Sequence, residues 1–169
     1  MAVFKVVPPS KDKYEIGYIR KKIEYILQPS KILSNEWGGL NFLFSSEESI
    51  INQFYIVRNI LHKQSCVPLM HFVFSLDGYY DEDIHPSQMG CIAYQICKML
   101  ARDQYQIIYA VHEDTNQLHT HFLLNTTNLY TGRQYQFYNR DLQTFLDLLE
   151  TLLRCPNLWR GHYKIKLYR

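Results

Sequence analysis

Hydrophobic positions follow two different periods along the chain, and the two alternate. Short apolar or alternating runs, rich in β-branched residues, predict strands at residues 2–7, 69–76, 105–111 and 119–126. Apolar residues spaced by three or four positions predict amphipathic helices over 12–28, from 45 to about 62, from 86 to about 102, and from 139 or 141 to Pro156. This mixture predicts an α+β domain with a central antiparallel sheet of about five strands, flanked by helices.

Turn and capping residues set the expected boundaries of these elements. Ser45 with Glu48 forms a capping-box pattern at the second helix, and Gly38-Gly39 suggests a turn before a short strand or loop. Residues 113–117 suit a hairpin connection between two strands. Three further segments are expected: an acidic loop at 77–85, a possible short strand at 133–137, and a basic tail at 159–169 that forms a strand or a loose end.

Composition limits the class of protein. The chain has 169 residues, of which 47% are hydrophobic and 20% charged, so we expect one folded domain spanning 1–169. A net charge of +2 excludes a strongly basic packing protein, although it allows a local nucleic-acid site. No apolar run reaches the ~18–20 residues of a membrane span. The four cysteines form no Cys-x-x-Cys pair, which favours reduced thiols in a cytoplasmic protein.

Three histidines carry the clearest chemical signal. His119 and His121 are two residues apart, so on a strand they share one face. His112 ends the preceding strand, and a hairpin would place it beside them. Three converging imidazoles suit a divalent metal ion with open positions for a substrate. Because no cysteine or fourth histidine joins the set, a purely structural zinc site is disfavoured.

The order of these residues resembles a known family. The pattern His-x-Asp-x-x-x-x-His-x-His-x-x-x-Asn, filled by His112, Asp114, His119, His121 and Asn125, is similar to the third motif of conjugative relaxases. These are mobilisation nucleases of the MOBP type within the HUH endonucleases. Residues 25–31 (YILQPSK), 38–41 (GGLN), 70–75 (MHFVFS) and 125–133 (NTTNLYTGR) resemble further elements of the family, in family order. Thr120 departs from the hydrophobic residue expected between the paired histidines, but it would face away from the metal.

The resemblance implies a nicking and strand-transfer reaction. A tyrosine hydroxyl would attack a DNA phosphodiester at a transfer origin, giving a 5′-phosphotyrosine link and a free 3′-hydroxyl. Tyr25 stands where the family motif places the nucleophile, and Tyr18, seven residues earlier on the same predicted helix face, is the second candidate. His112, His119 and His121 would hold Mg²⁺ or Mn²⁺. Asp114 would orient a ligand histidine, or would simply occupy the hairpin turn.

The resemblance implies single-stranded or origin DNA as the partner, accessory relaxosome proteins as candidate further partners, and a bacterial cytoplasm as the location. No small-molecule substrate is expected. The predicted DNA-binding residues are Lys21, Lys22, Lys31, Asn125 and Arg133, although Asn125 could instead hold its strand in place. Family members often continue into a helicase or primase, and neither is expected within these 169 residues.

Two other functions stay open. A rolling-circle initiator or an HUH transposase would use a downstream tyrosine, for which Tyr130, Tyr135 and Tyr138 are available. A catalytically inactive DNA-binding domain is the non-enzymatic alternative, and the intact histidine trio argues against it.

Overall fold

The structure is a computed structural model that describes residues 2–76, 86–115, 117–154 and 165–168. Its elements, in chain order, are β1 (Ala2–Val7), α1 (Tyr18–Ile26), β2 (Ile32–Leu40), α2 (Glu47–Ile60), β3 (Leu69–Leu76), α3 (Pro86–Ala101), β4 (Ile107–His112), β5 (His119–Asn125), α4 (Asn139–Leu153) and β6 (Ile165–Tyr168). The predicted α+β class is confirmed.

The strands form one sheet in the order β2-β4-β5-β3-β1-β6. The first five strands are antiparallel to their neighbours, as predicted. The tail adds β6, which runs parallel to β1 and pairs Ala2 with Ile165. The strand alternative for the tail is therefore correct at 165–168.

Alternation along the strands sorts their side chains onto two faces. One face carries the buried rings of Phe4, Phe72 and Phe122 and packs against α3 and α4. The opposite face carries Ala110 and Leu123 and packs against α1 and α2. The three histidines lie on this second face, because they alternate in phase with Ala110 and Leu123. Thr120 is buried on the first face, as predicted for a residue that points away from the trio.

The first helix is shorter than its hydrophobic pattern predicts. It begins at Tyr18 rather than at residue 12, because Gly17 has φ of 90° and interrupts the helical backbone. Turns precede it, closed by bonds such as that from the Glu15 N–H to the Asp12 carbonyl (2.9 Å). It ends near Pro29, as predicted, so Tyr25 lies in its last turn.

Other predicted boundaries also shift. Ser46, not Ser45, caps α2, accepting a hydrogen bond from the Ser49 N–H, and α2 ends at Ile60. Gly38 and Gly39 lie within β2 rather than in a turn. There the absence of a side chain on Gly39 lets β2 approach the Ile107 carbonyl of β4.

The region after β5 contains less strand than predicted. Residues 133–137 contribute only an isolated bridge between Thr127 and Gln134. The last helix is capped at Tyr138, whose N–H donates to the Asp141 carboxylate (3.0 Å). The predicted acidic loop at 77–85 and the stop at Pro156 lie outside the described residues.

Candidate metal and nucleophile site

Strand register brings the three histidines together. His112 of β4 pairs directly with His119 of β5, and Ala110 pairs with His121. One side-chain nitrogen from each of the three histidines lies within 4.8 Å of the others. The convergence expected from the hairpin is therefore present.

Hydrogen bonds fix which nitrogen of two histidines is free. His112 Nε2 lies 2.7 Å from the Ile26 carbonyl oxygen at the end of α1, and His119 Nδ1 lies 3.0 Å from the Gln117 carbonyl oxygen. A carbonyl only accepts, so each of these nitrogens carries the proton. The lone pairs that remain are on His112 Nδ1 and His119 Nε2. His112 Nδ1 is buried and has no hydrogen-bond partner among the described residues.

His71 of β3 joins the site, and the sequence analysis gave it no functional role. Its Nε2 lies 2.8 Å from His121 Nδ1. If His121 donates this hydrogen bond, its Nε2 is free to bind a metal, and His71 acts as the acceptor that orients it. The signal was a histidine within the largely apolar run 69–76, but only the pairing of β3 with β5 shows what it touches.

Burial keeps the inner rings neutral. It lowers the pKa of His121 to about 2, with further contributions from the neighbouring His71, His112, His119 and Lys31. Burial also lowers the pKa of His112, against the opposing effect of its bond to the Ile26 carbonyl. Neutral imidazole is the form that binds a metal ion, so these ligands need no proton loss at neutral pH.

Tyr25 lies at the open side of the trio. Its ring is 44% exposed, and its centroid is 6.3 Å from the His112 ring and 5.8 Å from the His121 ring. The Lys31 Nζ lies 4.1 Å from the centroid of the Tyr25 ring. The α1 helix places Tyr25 here because the same helix end receives the His112 hydrogen bond.

Asp114 links the lysine to the histidines. Its two carboxylate oxygens lie 3.5 Å from Lys31 Nζ and 3.5 Å from His119 Nε2. Asp114 is predicted to orient a ligand histidine through the nitrogen that faces away from the metal. In His119 that nitrogen is Nδ1, and it contacts the Gln117 carbonyl rather than Asp114. Asp114 therefore lies beside the trio and holds Lys31 near Tyr25.

The competing tyrosines lie elsewhere. Tyr18 is only 6% exposed and packs with α2 in the core of this face. Tyr135 is buried on the opposite face, and Tyr130 and Tyr138 are exposed in the region after β5. Among the described residues, Tyr25 is the tyrosine whose ring contacts the trio.

The predicted DNA-binding residues lie in different parts of the structure. Lys22 and Lys31 lie on the side of the trio, whereas Lys21 forms an exposed ion pair with Asp12 (3.4 Å). Arg133 is exposed and follows the far end of β5, which itself lies about 20 Å along the strand from His119.

Asn125 also lies at the far end of β5 and is fully buried. Its Nδ2 donates to the Gln106 Oε1 (2.9 Å) and the Phe54 carbonyl (3.2 Å), and its Oδ1 accepts from the Thr127 N–H (3.3 Å). These bonds favour the structural alternative for Asn125 over a DNA contact.

The donor set fits a divalent metal ion. Three imidazoles are close together, and among the described residues the His112 Nδ1 is a buried nitrogen with no other partner. The negative end of the α1 dipole at Ile26 further favours a cation here. A metal ion bound by three protein ligands keeps positions for a substrate.

Comparison with known proteins agrees with this geometry. The family model for the relaxase nuclease domain, MobA/VirD2-like, matches residues 25–157. The chain belongs to the relaxase family. The matched region begins at Tyr25 and includes all three histidines, and relaxases of this family nick DNA and generally use a divalent metal.

Curated relatives cover only part of the chain. Two sequences of the group II intron-interrupted relaxase LtrB, one from Lactococcus lactis subsp. cremoris and one from its strain MG1363, are each 31% identical over 77 residues. That alignment covers 46% of this chain and 13% of the LtrB relaxase, so the chain corresponds to a small part of its relatives. No solved structure matches the chain.

Two further predictions can be compared with the structure. Among the described residues, no helix has the length and apolarity needed to cross a membrane. Cys66, Cys91 and Cys97 are free thiols, and Cys155 lies outside the described residues.

Proposed function

We propose that this relaxase domain makes a site- and strand-specific nick in DNA at a plasmid or mobile-element transfer origin, with Tyr25 as the nucleophile. One observation carries the assignment. The exposed Tyr25 ring contacts two members of the histidine trio, while the alternative Tyr18 is buried in the core. A nucleophile must reach both the substrate and the charge-stabilising site, and Tyr25 meets both conditions.

The proposed metal ligands are His112 through Nδ1 and His119 and His121 through Nε2. Mg²⁺ or Mn²⁺ held there would polarise the scissile phosphate and offset the negative charge of the transition state. The chain's own contribution is to present three imidazoles in fixed orientations, with His71 accepting the hydrogen bond from His121 Nδ1.

In the proposed step, the Tyr25 oxygen forms a bond to phosphorus and the bond from phosphorus to the 3′-oxygen breaks. The phenol proton is lost, and the leaving 3′-oxygen gains a proton to become a hydroxyl. The 5′-phosphotyrosine keeps the phosphoester linkage, so a 3′-hydroxyl can later reverse the reaction and rejoin the strand.

Lys31 and Asp114 are proposed to position the nucleophile. The Lys31 ammonium lies over the Tyr25 ring, where it presents positive charge to an approaching phosphate. Asp114 restricts Lys31 to this place through its second oxygen contact to the trio. Lys31 is thus assigned both to the nucleophile and to DNA.

The alternative enzymes with a downstream nucleophile are less well supported. Tyr135 is buried on the face opposite the trio, and among the described residues neither Tyr130 nor Tyr138 contacts a histidine of the site. An inactive DNA-binding domain would have no need for the buried lone pair of His112.

The cellular setting follows the same proposal. The domain would span residues 1–169, act in the bacterial cytoplasm on single-stranded or origin DNA, and cooperate with accessory relaxosome proteins. It is expected to bind no small-molecule substrate.

The decisive experiment traps the covalent intermediate. The protein is incubated with Mn²⁺ and single-stranded oligonucleotides that carry candidate origin sequences, and adducts are resolved on a denaturing gel. We expect an adduct with the wild type and with Tyr18→Phe, and none with Tyr25→Phe. An adduct that persists in Tyr25→Phe would overturn the nucleophile assignment, and one that forms equally well after His112→Ala with a chelator would overturn the metal site.

A further inference from the structure

The last turn of α1 is tied to the candidate metal ligand at the end of β4. The last carbonyls of an α-helix have no partner within the helix. The Ile26 carbonyl is one of these, and it accepts a hydrogen bond from His112 Nε2 at 2.7 Å. Both residues are fully buried, so breaking this bond would leave a carbonyl and a ring N–H without partners. The bond therefore fixes the His112 ring and the end of α1 relative to each other.

Tyr25 depends on this bond because it lies in the same turn. The α1 helix has only nine residues, and an isolated helix of that length is marginal in water. Its buried side, which includes Ile19, Ile23 and Ile26, packs in the core beneath α2, whereas Tyr25 is on the exposed side. Whatever fixes the end of the helix therefore also fixes the Tyr25 ring beside the trio.

The segment after α1 forms a second link to the same end of β4. The Lys31 N–H donates to the Gln28 carbonyl (2.9 Å), which closes a turn. The Glu113 N–H then donates to the Lys31 carbonyl (2.9 Å), and Ile32 pairs with His112. The end of α1 is thus joined to β4 through the His112 side chain and through the backbone one residue later. A shift of α1 at this end must displace the His112 ring or break its hydrogen bond.

We propose that the Ile26 carbonyl couples metal binding at the trio to the position of Tyr25, so that a bound metal ion and an ordered end of α1 each favour the other. The inference rests on the proposed function, because it takes His112 as a metal ligand and Tyr25 as the nucleophile. A positive charge on one ring nitrogen makes the N–H on the other nitrogen a stronger donor. The Ile26 carbonyl is consequently a positioning group for the ligand and, through the helix, for the nucleophile.

Reciprocity sets the size of the coupling. Loss of a hydrogen-bond partner behind a metal ligand typically costs about 10–100-fold in metal affinity. By linkage, saturation with metal must hold the bond between Ile26 and His112 closed by the same factor, about 10–100-fold, against local opening. Amide hydrogen exchange measures local opening of this kind. The Leu27 N–H reports on this turn, because it donates to the Ile23 carbonyl (2.9 Å).

Hydrogen exchange of the wild type, read by mass spectrometry, would compare residues 24–27 with and without saturating Mn²⁺. We expect the amides of this turn to exchange about 10–100-fold more slowly with Mn²⁺ bound. The end of α2 is the internal control, because it is a helix end on the same sheet face, where the Leu61 N–H donates to the Val57 carbonyl (3.2 Å). It lies near Pro68, at the end of β3 that is away from the trio, so its exchange should not change. Equal slowing at both helix ends would indicate general stabilisation and would overturn the coupling, as would unchanged exchange at 24–27.

Ile26→Ala and Ile19→Ala form a matched pair of variants for the reverse direction. Both side chains are buried in the same core and lose the same atoms, but only Ile26 lies in the turn that bonds His112. We expect calorimetry to show Mn²⁺ affinity reduced by up to about 10–100-fold in Ile26→Ala and close to the wild-type value in Ile19→Ala. The visible spectrum of the Co²⁺ form should change only in Ile26→Ala. Equal affinities and spectra in the two variants would contradict the coupling, and the exchange measurement decides if either variant does not fold.

Failure of the coupling and failure of the proposed function give different results. If calorimetry detects no Mn²⁺ binding to the wild type, the metal site is wrong and the coupling falls with it. If Mn²⁺ binds and the Tyr25 adduct forms while exchange at 24–27 is unchanged, only the coupling is wrong. Slower exchange at 24–27 without any adduct would keep the coupling and remove Tyr25 as the nucleophile.

Discussion

Replacing Asn125 by alanine tests whether this residue holds the fold together or contacts DNA. The side chain is fully buried where β5 ends, and its amide connects Phe54 of α2, Gln106 before β4 and Thr127 after β5. Alanine would remove all three hydrogen bonds. The Gln106 Oε1 and the Thr127 N–H would then lose the partner that Asn125 provides.

The magnitude follows from those two groups. A buried donor or acceptor left without a partner costs about 1–3 kcal/mol, so the two together predict a loss of about 2–6 kcal/mol in the free energy of unfolding. That is a large fraction of the ~5–15 kcal/mol that stabilises a typical domain. Metal affinity of the folded protein should be unchanged, because the trio lies at the opposite end of β5.

Urea unfolding followed by circular dichroism would measure the loss, with Mn²⁺ titration of the folded variant as the second measurement. Arg133→Ala is the surface control, since Arg133 is exposed in the same region, and should change stability by less than about 0.5 kcal/mol. If Asn125→Ala keeps wild-type stability but loses DNA affinity, the structural reasoning is refuted and the predicted DNA contact is restored.

Three further changes test the site and the sheet. His71→Leu should weaken Mn²⁺ binding by about 10–100-fold in calorimetry and alter the visible spectrum of the Co²⁺ form, because it removes the hydrogen bond to His121 Nδ1. His71→Gln keeps an acceptor and should retain more of the Mn²⁺ affinity. Equal losses of affinity in the two variants would argue against orientation of His121 by this hydrogen bond. Burial raises the pKa of Tyr109 to about 12, so the folded state holds this proton more tightly than the unfolded state, and stability should fall as pH rises from about 10 to 12. At about pH 11 the loss is at most about 1.4 kcal/mol, and urea midpoints should show Tyr109→Phe to be less sensitive to alkali than the wild type; equal sensitivity would contradict the assignment. Gly39→Ala should lower the free energy of unfolding by about 2 kcal/mol or more, because its methyl would collide with the Ile107 carbonyl. Gly38→Ala is the control and should cost less, because its methyl meets only the Tyr109 side chain. An equal urea midpoint for the two variants would show that the β2 backbone adjusts freely.

Local chemistry explains what the sequence predicted well. Apolar runs of β-branched residues predicted β1 and β3 with correct bounds, because the two-residue alternation of a strand is visible in one short segment. The turn between His112 and His119 predicted the hairpin and with it the convergence of the trio. The boundaries that failed depended on single backbone conformations, such as the positive φ of Gly17 that shortens α1.

The sequence by itself determined the sheet-forming segments, the three metal-ligand candidates and Tyr25 as a candidate nucleophile. Only the tertiary structure distinguished the exposed Tyr25 from the buried Tyr18, because exposure depends on how α1 packs against α2 and the sheet. It also brought in His71, which is 50 residues away from His121 along the chain. His71 joins the site through strand pairing, and register between strands distant in sequence is not written in either strand alone.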